Sequence, residues 1–136
     1  MAELLFKEYV KEKGTYKDFL IDSAATSTEE IGNPVHYGTR KILDSLNIDY
    51  SKNRAKQITF DMYKTFDYII IMDDYNRYNI ERRLGNTYSN KIHRLLDFTN
   101  NPKDIADPWY TGDFELTYKE IKMGLEALYE FLKKNT

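Results

Sequence analysis

The chain has 136 residues, of which 41% are hydrophobic, so it is long enough and apolar enough to form one compact domain around a single core. Its 20 Lys and Arg against 22 Asp and Glu give a net charge of −2, which leaves no basic excess for binding nucleic acid. It contains no cysteine, which excludes disulfide bonds, thiolate chemistry and cysteine-ligated metals. The longest apolar run, residues 68–72, is too short to cross a bilayer, so we expect a cytoplasmic protein without a membrane partner.

The first third of the chain is predicted to contain a helix, a strand and a second helix. The first helix spans residues 2–13 and ends at Gly14, because glycine is favoured just beyond a helix. Its apolar residues share one face: Leu5, Phe6, Tyr9 and Val10. Residues 19–22 form the predicted strand, and the second helix runs from residue 35 or 36 to residue 46. Three of its residues are predicted to point inward: Ile42, Leu43 and Leu46.

The remainder of the chain is predicted to contain two strands, each followed by a helix. Residues 67–72 form the strongest strand, because an unbroken apolar run suits a parallel strand buried on both faces. A helix follows to about residue 84, a second strand spans residues 91–98, and residues 100–110 form a loop. The last helix spans residues 113–133. An apolar residue recurs at every third or fourth position of it: Phe114, Tyr118, Ile121, Leu125, Leu128 and Leu132.

The alternation of strands and helices indicates the α/β class in a single domain, residues 1–136. We expect a three-layer sandwich, with a mostly parallel sheet and helices on both faces. Only three strands are predicted, which is fewer than an open sheet of this kind usually has.

The most informative segment is residues 106–114, Ala-Asp-Pro-Trp-Tyr-Thr-Gly-Asp-Phe. Asp107 precedes a proline, which favours an extended backbone, in a loop after a strand, where α/β proteins bind their ligands. Beside Trp109 and Tyr110, Asp107 is placed to protonate a leaving group. The alternative is that Asp-Pro is ordinary turn chemistry and the two aromatic residues pad the start of a helix. These residues alone favour that alternative.

Metal and cofactor sites are not predicted. His36 and His93 are the only histidines and lack ligand spacing, so packing or surface roles are expected for them. The chain has neither a Gly-x-Gly-x-x-Gly fingerprint for dinucleotides nor a Gly-x-Ser-x-Gly nucleophile elbow.

Seven stretches, taken together, carry a resemblance: residues 1–3, 21–26, 31–34, 55–59, 66–73, 91–98 and the loop around Asp107. In order and spacing they resemble the low-molecular-weight protein-tyrosine phosphatase family over essentially the whole chain. The resemblance implies that Asp107 is the general acid, which protonates the tyrosine leaving oxygen, and that Trp109 and Tyr110 line the entrance for the substrate ring. It implies that Ser23 supports the phosphate loop and that Asp73 lies near the active-site end of the central strand. No metal or cofactor is implied.

The chain departs from the family pattern at its start. The family opens with a buried strand and a phosphate loop of pattern Cys-x5-Arg-Ser, and this chain begins at the Met-Ala-Glu that follows them. We therefore expect the first central strand, between residues 19–22 and 67–72, to be absent, together with the nucleophile and the phosphate-binding loop. The two flanking strands would then pair directly or self-associate through their exposed edges. Glu29 and Glu30 stand where many relatives have an aromatic residue, and they would repel a phosphate dianion if they pointed inward.

The intact parent is accordingly predicted to hydrolyse phosphotyrosine in proteins, or small aryl phosphates, through a cysteinyl-phosphate intermediate. The chain as it stands is predicted to be inactive, because no thiolate is available. One alternative is a non-catalytic module that keeps the scaffold for binding. Another is an arsenate reductase-type relative. The lack of cysteine and the Asp-Pro-Trp-Tyr loop weigh against that second alternative.

Overall fold

The computed structural model describes residues 1–26 and 36–135, except for the side chain of Trp109. Its helices and strands, in chain order, are α1 (Ala2–Glu12), α2 (Tyr37–Ser45), α3 (Phe60–Thr65), β1 (Ile69–Ile71), α4 (Asp74–Leu84), β2 (Ile92–Arg94), α5 (Pro108–Thr111) and α6 (Phe114–Lys134). Three 3₁₀ turns lie at Tyr16–Asp18, Ser89–Lys91 and Leu95–Phe98. Within the described ranges, no helix combines the length and apolar character needed to cross a membrane.

Strands β1 and β2 form a parallel pair between two layers of helix. Ile69 lies opposite Ile92, and Ile71 lies opposite Arg94. Because successive side chains alternate across a strand, Ile70 packs on one face, in a core built mainly from α1 and α6. Ile69 and Ile71 pack on the other face, against residues of α3 and α4. The predicted α/β class, with a parallel sheet and helices on both faces, is therefore confirmed.

Local signals fix the ends of the helices. Gly14 follows α1 with a φ of +74°, and the N–H of Thr15 donates to the carbonyl of Val10 at 3.0 Å, which closes the last turn. Asp113 begins α6 by accepting the N–H of Leu116 at 2.9 Å. The predicted first, second and last helices and the helix after residue 74 are all present within one or two residues of their predicted bounds.

Helix α6 packs unusually close to the turn that follows β2. A Cβ atom placed on Gly124 would lie 2.5 Å from Cγ of Leu95, so only glycine fits at this point of the helix. Ile121, Leu125 and Leu128 are buried along the same face, as the periodicity predicted. Leu46 differs from its prediction, because it lies just beyond the end of α2 and is exposed.

The strand over residues 19–22 is a wrong prediction, and the strand over residues 91–98 is right only for Ile92–Arg94. Residues 19–24 are not paired as a strand. Both residues 19–24 and β1 are described, and no backbone hydrogen bond joins them. A strand needs a partner at hydrogen-bonding distance, which an apolar pattern does not guarantee. The adjacent Leu95 and Leu96 pack in the same core, whereas a strand would direct them to opposite faces, so Leu95–Phe98 form a 3₁₀ turn.

Two further elements lie where the sequence predicted none. Thr59 caps helix α3, because its Oγ1 accepts the N–H of Met62 at 3.2 Å. Helix α5 occupies the end of the predicted loop, residues 100–110.

The unpaired edge of β1 should make the chain self-associate. Leu20 is 83% exposed in the neighbouring unpaired segment, so an apolar surface accompanies the free backbone groups. Light scattering after size exclusion is expected to show a mass that rises with protein concentration. Leu20→Lys should reduce this association, since a charge on an edge opposes pairing, whereas Leu116→Lys on the exposed face of α6 should not. A monomer at every concentration would contradict the expectation.

Candidate functional site

The carboxyl ends of β1 and β2 lie at the same edge of the sheet because the strands are parallel. Ligands of open α/β sheets bind at this edge. The loop that carries Asp107 is brought to it by Ile105, whose N–H donates to the carbonyl of Met72 at 2.9 Å and whose side chain is buried. The structure therefore places Asp107 two residues beyond an anchor point at the end of β1.

The backbone around Asp107 is held on both sides. The Asp107 carbonyl accepts the N–H of Tyr110 at 3.0 Å and that of Thr111 at 3.3 Å, as the first turn of α5. On the other side, Oγ1 of Thr117 donates to the carbonyl of Ala106 at 3.2 Å. Asp107 itself is exposed, so its carboxyl group is accessible from solvent while its main chain is fixed.

Asp73 follows β1 at the same edge and caps α4. Its carboxylate accepts the N–H of Asn76 at 2.9 Å, and the Asn76 side chain accepts the N–H of Asp73 at 3.3 Å. This reciprocal capping box starts the helix. Asp73 thus lies directly after β1, while its place near an active site and its support of a phosphate loop stay predictions.

Ser23 contacts the first turn of α1. Its hydroxyl donates to Glu3 at 2.5 Å, and Glu3 accepts from the Lys7 ammonium at 2.6 Å, which raises the pKa of Lys7. The neighbouring Asp22 pairs with Lys56 at 2.6 Å. Burial opposes ionisation of Asp22, but the hydrogen bonds from Lys56 and from the Ser23 N–H outweigh it, so the pKa of Asp22 is lowered. Ser23 therefore joins α1 to residues 19–24, and its support of a phosphate loop stays a prediction.

The two predicted substrate-binding residues lie in α5. Tyr110 is 90% exposed, so its ring is available to a ligand. Trp109 belongs to the same short helix, and its side chain lies outside the described part of the structure. Glu29 and Glu30 also lie outside the described residues.

Arg94 is a residue of this edge that the sequence did not single out. Its guanidinium contacts Asp97 and Asp104, each at 3.0 Å, and Asp74 at 3.4 Å. Hydrogen bonds to Asp97 and Asp104 raise the Arg94 pKa. Asp104 also accepts the N–H of Asp74 at 3.1 Å. The available signal was a basic side chain at the carboxyl end of a strand, with carboxylates three and ten residues later.

Both histidines have packing roles. The His36 ring stacks on Phe114 with 5.0 Å between ring centroids, and its Nδ1 accepts the N–H of Gly38 at 3.2 Å. His93 packs beside Tyr68 and Phe98. Across residues 1–26 and 36–135, no three histidine or acidic side chains are grouped so that they could hold a metal ion.

Comparison with known proteins assigns the chain and its fold to one family. The model of the family described as low molecular weight phosphotyrosine protein phosphatase matches residues 1–136. The low molecular weight protein-tyrosine-phosphatase YfkJ of Bacillus subtilis is 36% identical, over 98% of this chain and 87% of the relative. PtpA of Staphylococcus aureus, also named a low molecular weight protein-tyrosine-phosphatase, is 30% identical, over 99% of this chain and 86% of the relative.

Solved structures agree with the sequence relatives. The crystal structure of YfkJ superimposes with a TM-score of 0.94 at 35% identity, covering 99% of this chain and 86% of that chain. The low molecular weight protein tyrosine phosphatase from Streptococcus pyogenes gives a TM-score of 0.85 at 36% identity, covering 96% and 82%. The chain belongs to the low molecular weight phosphotyrosine protein phosphatase family.

Proposed function

We propose that this chain provides the general acid and the substrate entrance of a site that hydrolyses phosphotyrosine monoesters. The observation that carries the proposal is the placement of Asp107. In a chain of this family, it lies on a loop fixed to the carboxyl edge of the sheet. A tyrosine phenol has a pKa of about 10, so phenolate is a poor leaving group and gains from protonation as the P–O bond breaks.

The aromatic residues of α5 suit the same substrate. Tyr110 projects from the surface next to Asp107, and Trp109 precedes it in the chain. Aromatic side chains bind a phenyl ring by offset or edge-on stacking, so a phosphotyrosine ring held here would bring its ester oxygen towards Asp107. Protein phosphotyrosine or a small aryl phosphate is the proposed substrate class, and a cytoplasmic location stays a prediction.

Hydrolysis at this site requires a nucleophile and phosphate ligands from outside the 136 residues. The resemblance to the family implies a Cys-x5-Arg-Ser loop, and the chain contains no cysteine. A thiolate at a helix N-terminus attacks phosphorus at neutral pH, and loop N–H groups hold the phosphate dianion. No side chain here replaces both functions, so we propose that the chain alone is inactive.

The lack of cysteine favours one alternative, a non-catalytic module that binds phosphotyrosine without cleaving it. Titration of the chain with a phosphotyrosine peptide, monitored by Trp109 fluorescence, distinguishes the two. The module predicts saturable binding that the unphosphorylated peptide does not reproduce. The proposed incomplete site predicts no specific binding, because the phosphate ligands are absent.

A chimera tests the proposed activity directly. A strand and a Cys-x5-Arg-Ser loop of the pattern that the family resemblance implies are joined in front of residue 1. The chimera is expected to hydrolyse a phosphotyrosine peptide at a rate typical of enzymes, roughly 1–10³ s⁻¹. A matched chimera whose added cysteine is replaced by serine should be inactive. A folded chimera that hydrolyses no aryl phosphate would contradict the proposal.

A further inference from the structure

Arg94 connects three segments at the carboxyl edge of the sheet. Asp74 lies at the start of α4, Asp97 in the turn after β2, and Asp104 in the loop three residues before Asp107. The Arg94 side chain is only 23% exposed, and each carboxylate is more exposed than the guanidinium it contacts. The arginine is therefore the inner member of the cluster.

The guanidinium of Arg94 uses different nitrogen atoms for Asp97 and for Asp104. Nε and Nη2 both contact Oδ1 of Asp97, three residues along the same segment, which orients the guanidinium plane. Nη1 is then directed at Asp104, at 3.0 Å. A planar guanidinium that is hydrogen-bonded to a carboxylate on one side presents its remaining N–H groups in a fixed direction. A lysine ammonium is not planar and can rotate, so it does not do this.

Asp104 gives the Asp107 loop its second attachment to the sheet. Ile105 is attached to the end of β1 through the carbonyl of Met72, and Asp104 is attached to the end of β2 through Arg94. Thr117 also holds the Ala106 carbonyl and the Asp74 N–H also reaches Asp104, so Arg94 is the contact that ties this loop to β2 in particular. Two attachments on neighbouring strands also fix the direction in which residues 106 and 107 leave the sheet.

The positive charge of Arg94 also offsets the repulsion among the three carboxylates that contact it. Asp74 and Asp104 both contact the same Nη1 atom, and Asp97 contacts Nη2. Without a cation between them, three carboxylates this close repel one another. The repulsion would act most on Asp104, because it lies in a loop whereas Asp74 lies in a helix.

We propose that Arg94 is a positioning residue for Asp107, acting through Asp104. The proposal rests on the proposed role of Asp107 as general acid. It assigns to Arg94 no contact with substrate. Its structural part, the control of the loop, stands on the ion pairs alone and is testable in this chain without any catalysis.

Hydrogen exchange of the 136-residue chain, followed by NMR, tests the control of the loop. In Arg94→Ala the amides of Ile105 and Asp74 should exchange roughly three- to tenfold faster, the range expected when partly exposed charge-assisted bonds are lost. Amides of Leu125 and Leu43, which lie in α6 and α2, should keep their rates. Arg94→Lys should restore part of the protection. Faster exchange everywhere, or unchanged exchange at Ile105, would overturn the proposal.

Two further variants separate the cluster from general charge effects. Asp104→Asn removes the loop's charge from the pair and should match Arg94→Ala at Ile105. Arg82→Ala removes the same charge from the exposed side of α4, where Arg82 contacts Asn79 and Tyr78 of its own helix, and should leave Ile105 unchanged. Equal effects of Arg82→Ala and Arg94→Ala would count against the proposal.

Kinetics of the phosphatase chimera complete the test. Arg94→Ala is expected to lower kcat about tenfold for phenyl phosphate, part of the 10²–10⁴ that a placed acid supplies, and to lower it less for p-nitrophenyl phosphate. KM should change little, because Arg94 does not touch substrate. If Asp107→Asn has no effect in the chimera, the acid assignment fails. If Asp107→Asn slows hydrolysis and Arg94→Ala does not, the positioning role fails.

Discussion

The purified 136-residue chain is expected to release no phosphate from p-nitrophenyl phosphate beyond the uncatalysed rate. Enzymes of ordinary efficiency exceed that rate by at least about 10⁶-fold, so the expected loss relative to the chimera is very large. The reason is chemical. Attack on phosphorus needs an ionised nucleophile, and serine and threonine hydroxyls are not ionised at neutral pH without a partnering base. The chain has no cysteine to take that role.

The controls for this assay separate the chain from contaminants. Activity that iodoacetamide abolishes must come from another protein, because the chain has no thiol to alkylate. The chimera measured in the same buffer shows that the assay detects turnover. Activity that persists through a second purification step and resists iodoacetamide would contradict the expectation and would point to a nucleophile within the chain.

Asp107→Asn in the chimera is the second large effect. Asparagine keeps the shape of the side chain and removes the proton, so the protonation of the leaving oxygen is lost while the loop stays anchored through Ile105. We expect kcat for phenyl phosphate to fall by about 10²–10⁴, the usual contribution of a placed general acid. The fall for p-nitrophenyl phosphate should be much smaller, because its leaving group needs no proton.

Asp113→Asn is the matched control for this substitution. Asp113 is a carboxylate of the same region, and its Oδ1 caps α6 by accepting the N–H of Leu116. Asparagine caps helices as well as aspartate does, so the fold should be kept and kcat should change little for either substrate. Equal losses for the two substrates in Asp107→Asn would show that Asp107 acts other than as an acid.

The helices were the most predictable part of the fold. Residues three and four apart on a helix share one face, so an apolar repeat in the sequence predicts which face of α6 is buried. Gly14 likewise marked the end of α1, because its positive φ is required by the local backbone. Helix α3 escaped prediction because it has six residues, too few to show a periodic pattern.

The candidate site was predictable only in part. Asp107 and Asp73 were found through the resemblance to the family, in which a proline junction and the end of an apolar strand match together with stretches elsewhere in the chain. The contribution of Arg94 could not be found in this way, because its partners are 3, 10 and 20 residues away in the chain and meet only through the folding of β2, α4 and the loop. Ion pairs depend on distance in space, which sequence spacing does not give.

The sequence by itself determined the absence of thiolate chemistry, the long helices and the alternation of helices and strands that indicates the α/β class. Asp107 was found as the proposed acid through the resemblance to the family, because its neighbouring residues alone favour ordinary turn chemistry. Tertiary structure decided the rest. Residues 19–22 are not a strand because no strand among the described residues pairs with them. Leu95 and Leu96 leave the direction of β2 where α6 approaches closely at Gly124. Strand pairing and close packing are properties of two segments at once, and the second segment is fixed only when the chain has folded.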